Sequence, residues 1–311
     1  MVQVHNLEGL TTSAFNAPIL IGMTNGVDPF CGPNNELVQY VDGWPVFSEC
    51  HRDLLCKTRG VDPDKCFVTG LGVDLKSYEC THEWNDGGVE DCHKVPGRLL
   101  YANDPARGLW HTLDIFDKLR ELVPDVSLHV AYDFDKQFEN YRWQATALSE
   151  KMWDCKKRLA TTEGVVNVGA LSRQELVREQ LECQVHVMPS DPPNLGSQIH
   201  GITQMECAAA GAALVLSDIE AFPEVFGDGA TILPLPGTYI VSAERRFDAQ
   251  DWAETIADLM NDPEQWAEAS RKARALAEAN TWEHVLGKWD KMLDRLALGS
   301  LKELAVATAG S

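Results

Sequence analysis

The residue types best suited to chemistry lie between Met188 and Gly229, which reads as a strand, a Pro/Gly loop, a helix start, a small-residue helix and a second strand. The loop Asn194-Leu195-Gly196-Ser197 brings backbone free of bulky side chains to the mouth of that helix. N–H groups there, together with the helix dipole, suit a phosphate or a polar sugar. Glu206 stands near the middle of the helix, and an ionised carboxylate facing a pocket can hold two adjacent hydroxyls. The run Ala208 to Gly211 lets the helix lie close on a sheet. Taken alone, these residues equally describe a tight strand–helix unit with a solvated glutamate. Arg107, before Gly108-Leu109, opens another helical pattern. A guanidinium at a helix start can clamp two phosphate oxygens and offset charge on a leaving group, although a lone one is commonly just a surface residue.

The elements that must position these residues follow from periodicity. Strand patterns occur at Arg98–Ala102, Val126–Ala131, Val165–Val168, Val185–Met188 and Ala213–Leu216. Between them, helical spacing covers Gly108–Val123 (Leu109, Leu113, Phe116, Leu119, Val123), Gln144–Leu159 (Leu148, Met152, Cys155, Leu159), a Ser172-capped helix to Leu181, and Ile202–Ala210. Asp133-Phe134-Asp135 reads as a loop. Such alternation predicts a parallel sheet covered by helices, with ligands beyond the carboxyl ends of the strands. Three helices follow, at Asp248–Asn261, Pro263–Asn280 and Trp282–Leu298, and the chain is expected to fray from Leu301. Before residue 96 the patterning is weaker. A strand at Pro18–Gly22, a turn and strand at Gly43–Ser48, a helix at Glu49–Lys57 and a strand at Lys65–Gly70 are expected. Residues 79–97 read as a linker or surface loop.

Bulk properties narrow the class. The 311 residues, 44% hydrophobic and 24% charged, suit a globular protein of two domains. No apolar run approaches the roughly 18 residues of a membrane span. Residues 17–23 are too short and follow no basic segment, so neither signal peptide nor anchor is expected, and the chain is read as cytoplasmic. A net charge of -20 gives no sign of a polyanion binder, although a local cleft can be basic on an acidic body. Arg271-Lys272 reads as a solvated helix face. Nine cysteines, six of them within the first 92 residues, include Cys50-His51, Cys80-Thr81-His82 and Cys92-His93, but no C-x2-C pair. They read as reduced thiols rather than as a zinc site, and no metal is expected.

The chemistry-bearing segment resembles the signature of the family 4 retaining glycosyltransferases of GT-B fold, through Pro189-Ser190, Gly201-Ile202-Thr203, Glu206, Ala209-Ala210-Gly211, Ser217-Asp218 and Pro223-Glu224-Val225. By that resemblance Glu206 holds the ribose hydroxyls of a nucleotide. The motif's first glutamate, which contacts the donor sugar, falls on Gln198, whose amide bonds hydroxyls but carries no charge. The same resemblance implies that Ser197 and the backbone of His200, Gly201 and Ile202 face the sugar and diphosphate. Leu100 to Leu109 resembles the strand–loop–helix in which a basic residue grips the diphosphate; Arg107 takes that place, with Asn103 nearby and Ala102 where a second basic residue is common. Val168-Gly169-Ala170-Leu171-Ser172 resembles the loop whose backbone touches the base. The segment around Trp282 and Trp289 resembles the closing helix, both tryptophans being read as core. The likeness spans about residues 44–78 and 98–295 and fails over 1–43.

The resemblance implies an α/β, GT-B-like protein. Residues 1–95 form a truncated acceptor-side α/β domain, 96–275 a Rossmann-like parallel-sheet donor domain, and 276–311 a C-terminal helix packing back on the first domain, with a tail. It implies a retaining hexosyltransferase that moves sugar from a UDP- or GDP-sugar to a hydroxyl, with Arg107, Gln198 and Glu206 as the catalytic set and no cofactor beyond the donor substrate. The short first domain points to a large acceptor (glycan, protein or modified DNA) or to a second copy or partner chain completing the cleft. Two alternatives stand: a DNA-modifying glycosyltransferase acting on hydroxymethylated bases, which the charge of -20 disfavours, and a non-catalytic nucleotide-sugar-binding subunit, which Gln198 and the short domain suggest.

Overall fold

Short parallel strands joined by crossovers build this α/β protein. The computed structural model describes residues 2–4, 19–24, 36–79, 94–142, 147–191, 198–234 and 248–309. The chain divides into two units: Met1–Gly72 with Gly196–His200 and Asn280–Ser311, and Val73–Leu195 with Gly201–Ala279.

In the smaller unit, β1 (Val2–Val4) pairs with β2 (Leu20–Gly22) and β3 (Trp44–Val46) with β4 (Cys66–Val68), all parallel. A bridge between Ile21 and Gly43 joins the two pairs. β1 lies where the sequence shows no clear pattern. Helix α1 (Glu49–Arg59) makes the crossover from β3 to β4, and its N-cap Ser48 accepts from His51 N. Leu20, Val38, Val41, Trp44, Val46, Leu55 and Val61 form the core of this unit.

The larger unit runs β5 (Arg98–Tyr101), α2 (Leu109–Leu122), β6 (Ser127–Val130), α3 (Phe134–Tyr141), α4 (Ala147–Thr161), β7 (Val165–Asn167), α5 (Arg173–Glu182), β8 (Val185–Met188), α6 (Ile202–Ala209), β9 (Ala213–Ser217), α7 (Phe222–Phe226), β10 (Thr231–Leu233), α8 (Ala249–Asn261) and α9 (Pro263–Ala279). Six parallel strands stand in the order β10-β9-β8-β5-β6-β7. Leu99 of β5 is in register with Leu128 on one side and Val185 on the other. Every residue of β8 and β9 is buried, as expected of strands covered on both faces. On α2 the expected stripe Leu109, Leu113, Phe116 and Leu119 is fully buried, and each such side chain contributes about 1.5–3 kcal/mol.

Three expectations are corrected. Asp133-Phe134-Asp135 is not a loop. Asp133 caps α3 by accepting from Lys136 N, and Phe134 stacks on Phe138 one turn later, both buried. The last helix, α10 (Trp282–Ala309), continues past Leu301, because Leu, Lys, Glu and Ala over 301–309 are strong helix formers. Within 79–97, the half-buried Lys94 is held in place rather than free in a linker or surface loop. Its Nζ donates to Gln180 O at 3.4 Å and Ala210 O at 2.8 Å, closing the carboxyl ends of α5 and α6. Residues 80–93 lie outside the described residues. No described helix is long and apolar enough to cross a membrane.

Candidate functional site

The sheet grows away from β5 in both directions, toward β6 and β7 on one side and toward β8, β9 and β10 on the other. The strand order therefore reverses between β5 and β8. The space outside the carboxyl ends at such a reversal is the usual ligand position in sheets of this kind.

The loop after β5 is tightly specified. Tyr101 donates its hydroxyl to Asp104 O at 2.9 Å. The Asp104 carboxylate accepts from Ala106 N at 2.9 Å, capping a single 3-10 turn (Pro105–Arg107), and from Gln137 Nε2 at 2.7 Å. Gly108 then turns the chain into α2 at φ 119°, and a Cβ there would lie 2.2 Å from Pro189 O. Only glycine meets both demands. Asp191 N donates to Arg107 O at 3.0 Å, so the loops after β5 and β8 are tied together. The Asp191 carboxylate faces His111 Nε2 at 3.2 Å and Lys151 Nζ at 3.6 Å, and Lys151 lies 4.2 Å over the Trp110 ring. Asn103 Nδ2, Trp110 Nε1 and Ser190 Oγ, all on these loops or the first turn of α2, are buried and meet no hydrogen-bond partner among the described residues. Unmatched buried groups of this kind cost about 1–3 kcal/mol each.

On α6, Glu206 is not the solvated glutamate of the plain reading, since its side chain is only 13% exposed. Oε1 accepts from Arg173 Nη1 at 2.7 Å and Oε2 from Gln180 Nε2 at 3.1 Å. Tyr78 donates its hydroxyl to Gln180 Oε1 at 2.9 Å and accepts from Arg173 Nη2 at 3.0 Å, which closes a four-residue ring. Burial pushes the Tyr78 hydroxyl far above its ordinary pKa, so it stays a neutral donor. Arg173 is the first residue of α5, after the turn of Gly169, Ala170 and Leu171. Ser172 caps that helix in a full capping box with Glu175. Gly201, at φ 108°, begins α6 without a side-chain cap; a Cβ would meet Gln204 Oε1 at 2.8 Å and Phe226 at 2.9 Å. Beyond β9, Glu220 holds φ 45°, a left-handed conformation uncommon for a residue with a side chain.

The larger unit thus contains Asn103, Arg107, Gly169, Ala170, Leu171, Gly201, Ile202 and Glu206, while Gln198 and His200 belong to the smaller one. Both of the latter are buried. His200 Nε2 accepts from Leu71 N at 3.2 Å, and Ser48 Oγ donates to Ile199 O at 2.8 Å. Burial and the charge of Lys288 lower the His200 pKa to about 4, so the ring is neutral, with its proton on Nδ1. Ser197 and the loop 194–197 lie outside the described residues. Trp282, expected in the core, is 46% exposed; its backbone packs where a Cβ on Gly72 would lie, 2.6 Å away. His51 Nδ1 accepts from Phe47 N at 3.1 Å, a structural contact, while Cys80, His82, Cys92 and His93 are outside the described residues. Among the described residues no group of three His, Cys, Asp or Glu could hold a metal ion. A cavity of about 450 Å³ lined by Asp228, Asp258, Glu268 and Lys272 sits at the amino end of β10, away from the carboxyl ends of the strands.

Sequence reading missed His111, Lys151 and Asp191, and also Tyr78, Arg173 and Gln180. The only available signal was local: Asp191 follows Pro189-Ser190, and Arg173 follows the cap Ser172.

No family model matches the chain. It is 29% identical over 234 residues to the phosphatidyl-myo-inositol mannosyltransferase of Mycolicibacterium smegmatis, a match covering 67% of this chain and 54% of that protein. The chain thus spans about half the length of that relative. Among solved structures it resembles sucrose-phosphate synthase from Thermosynechococcus elongatus (TM-score 0.67, 13% identity, 96% of this chain and 73% of that one). It also resembles HepE of Anabaena in complex with UDP and glucose (0.62, 14%, 90% and 71%). A third likeness is to a mutant TarM of S. aureus in complex with Fondaparinux, alpha-GlcNAc-glycerol and UDP (0.61, 15%, 88% and 50%). With its six-stranded parallel sheet, this chain is a protein of the GT-B glycosyltransferase fold.

Proposed function

We propose that this protein is a retaining glycosyltransferase that takes a hexose from a UDP- or GDP-sugar and delivers it to an acceptor hydroxyl. The observation that carries the reading is the strand reversal between β5 and β8: Arg107 sits on the loop after the first strand, that loop is bonded to the loop after the second, and the chain beyond the second leads to α6 and Glu206. The mannosyltransferase relative and the neighbours solved with UDP support the same substrate class.

In this reading the Arg107 guanidinium and the uncapped start of α6 hold the donor diphosphate and stabilise its charge as the glycosidic bond breaks. Glu206 receives the ribose hydroxyls. By its place in the sequence motif, Gln198 hydrogen-bonds the donor sugar without adding charge. The acceptor hydroxyl attacks the face that the diphosphate leaves, and the departing phosphate takes its proton, so no side-chain nucleophile is needed.

Thermal-shift and calorimetric titration with UDP-glucose, UDP-GlcNAc and GDP-mannose test this. One base class should raise Tm in a concentration-dependent way. Arg107→Ala and Glu206→Ala should each weaken that donor at least ten-fold, which is about 1.4 kcal/mol. Wild-type affinity in both variants would remove the site.

A further inference from the structure

The two oxygens of Glu206 are held in different ways. Oε2 is bound by the Gln180 amide, whose residue is fully buried. That amide cannot flip freely. The ionised Glu206 carboxylate can only accept, so Nε2 must face it, and Oε1 is left to accept from the Tyr78 hydroxyl. Oε1 is bound by Arg173 Nη1, whose side chain is 50% exposed. A long, half-exposed partner in an ion pair is easily exchanged. A vicinal diol binds a carboxylate best through both oxygens. One is kept in place by buried groups, and the other is covered by a side chain that can swing into solvent.

We propose that Arg173 is a displaceable placeholder on Glu206: a nucleotide's cis-diol takes Oε1 from the guanidinium, so Arg173 tunes affinity for the nucleotide and its preference for ribose over deoxyribose. The inference rests on the reading of Glu206 as the ribose-holding residue. A 2′-deoxynucleotide has one hydroxyl fewer and can bond Glu206 without evicting the guanidinium, so removing Arg173 helps it less.

Calorimetric titration of UDP, GDP and their 2′-deoxy forms against wild type, Arg173→Ala, Arg173→Gln and Glu206→Ala decides the matter. The ribonucleotide that binds wild type should bind both Arg173 variants about three-fold more tightly, as expected for loss of a competing, half-exposed ion pair. Its deoxy form should change by less, which widens the ribose preference. Raising the salt concentration should bring wild type toward the variants, because exposed pairs are screened. Equal or weaker ribonucleotide binding in Arg173 variants with wild-type circular dichroism overturns the placeholder. If Glu206→Ala meanwhile loses ten-fold or more, the ribose role of Glu206 survives that failure. Unchanged binding in Glu206→Ala, or no binding of either diphosphate to wild type, overturns the underlying reading and the placeholder with it.

Discussion

Arg107 depends on its neighbour for its position. The backbone at Gly108 is left-handed, and its α-carbon lies so close to Pro189 O that a methyl group would overlap it. Gly108→Ala therefore meets torsional strain and a backbone clash together, a combination expected to cost about 2–4 kcal/mol. Part of the relief would come from breaking the hydrogen bond from Asp191 N to Arg107 O, separating the two loops on which the donor reading rests. Urea denaturation should show the loss of stability, and donor titration a loss of affinity resembling that of Arg107→Ala. A Gly108→Ala protein with wild-type stability would show that the loops are not packed as described. Gly287 provides the internal contrast, because it lies within α10 and nothing stands within 4 Å of an added Cβ. There Gly→Ala should stabilise by about 0.5–1 kcal/mol through helix propensity alone.

At the scale of the element, the most specific device is the start of α5. Ser172 Oγ accepts from Glu175 N at 3.3 Å, and Glu175 Oε2 accepts from Ser172 N at 2.8 Å. Ser172→Ala should cost about 1 kcal/mol and loosen the turn that carries Gly169 to Leu171 and presents Arg173; the midpoint of chemical unfolding measures it. This element was legible because Ser-x-x-Glu is a local pattern, and the buried strands were legible because sheets covered on both faces demand short, continuous apolar runs. Arg107 and Glu206 could be singled out for the same reason: each sits in a distinctive stretch of a few residues. The ring around Glu206 could not, since Tyr78 and Gln180 are 102 positions apart and nothing near either residue specifies the other. Short elements such as α7 and β10 offer too few residues for a period to show. Asp133 to Asp135 misled because a helix cap and a loop use the same polar residues, and only the spacing of Phe134 and Phe138 separates them.

At the scale of the whole molecule, the central strands carry a group that makes folding sensitive to acid. His186 on β8 is fully buried, and burial lowers its pKa from 6.5 to about 4. Unfolded, it titrates near 6.5. Above that pH neither state binds the proton, and His186 adds no pH dependence. Between about 6.5 and 4 the unfolded chain takes up a proton that the folded protein refuses, so stability falls as the pH falls. Each ten-fold difference in proton affinity between the two states corresponds to about 1.36 kcal/mol, so the loss across the window is on the order of 3 kcal/mol. His200, lowered to about 4 in the smaller unit, adds a slope of the same sign. Protonation of carboxylates acts against this at the lower end, because it relieves the self-repulsion of a chain with net charge -20. A single pH curve of the wild type therefore mixes opposing terms, and the comparison must be made between proteins. Unfolding free energies of wild type and His186→Gln, measured from pH 7 to pH 4.5, should diverge in slope by up to one proton, with the variant the flatter. Parallel curves would mean that His186 is protonated in the folded sheet, and its burial would then need a partner for the charge.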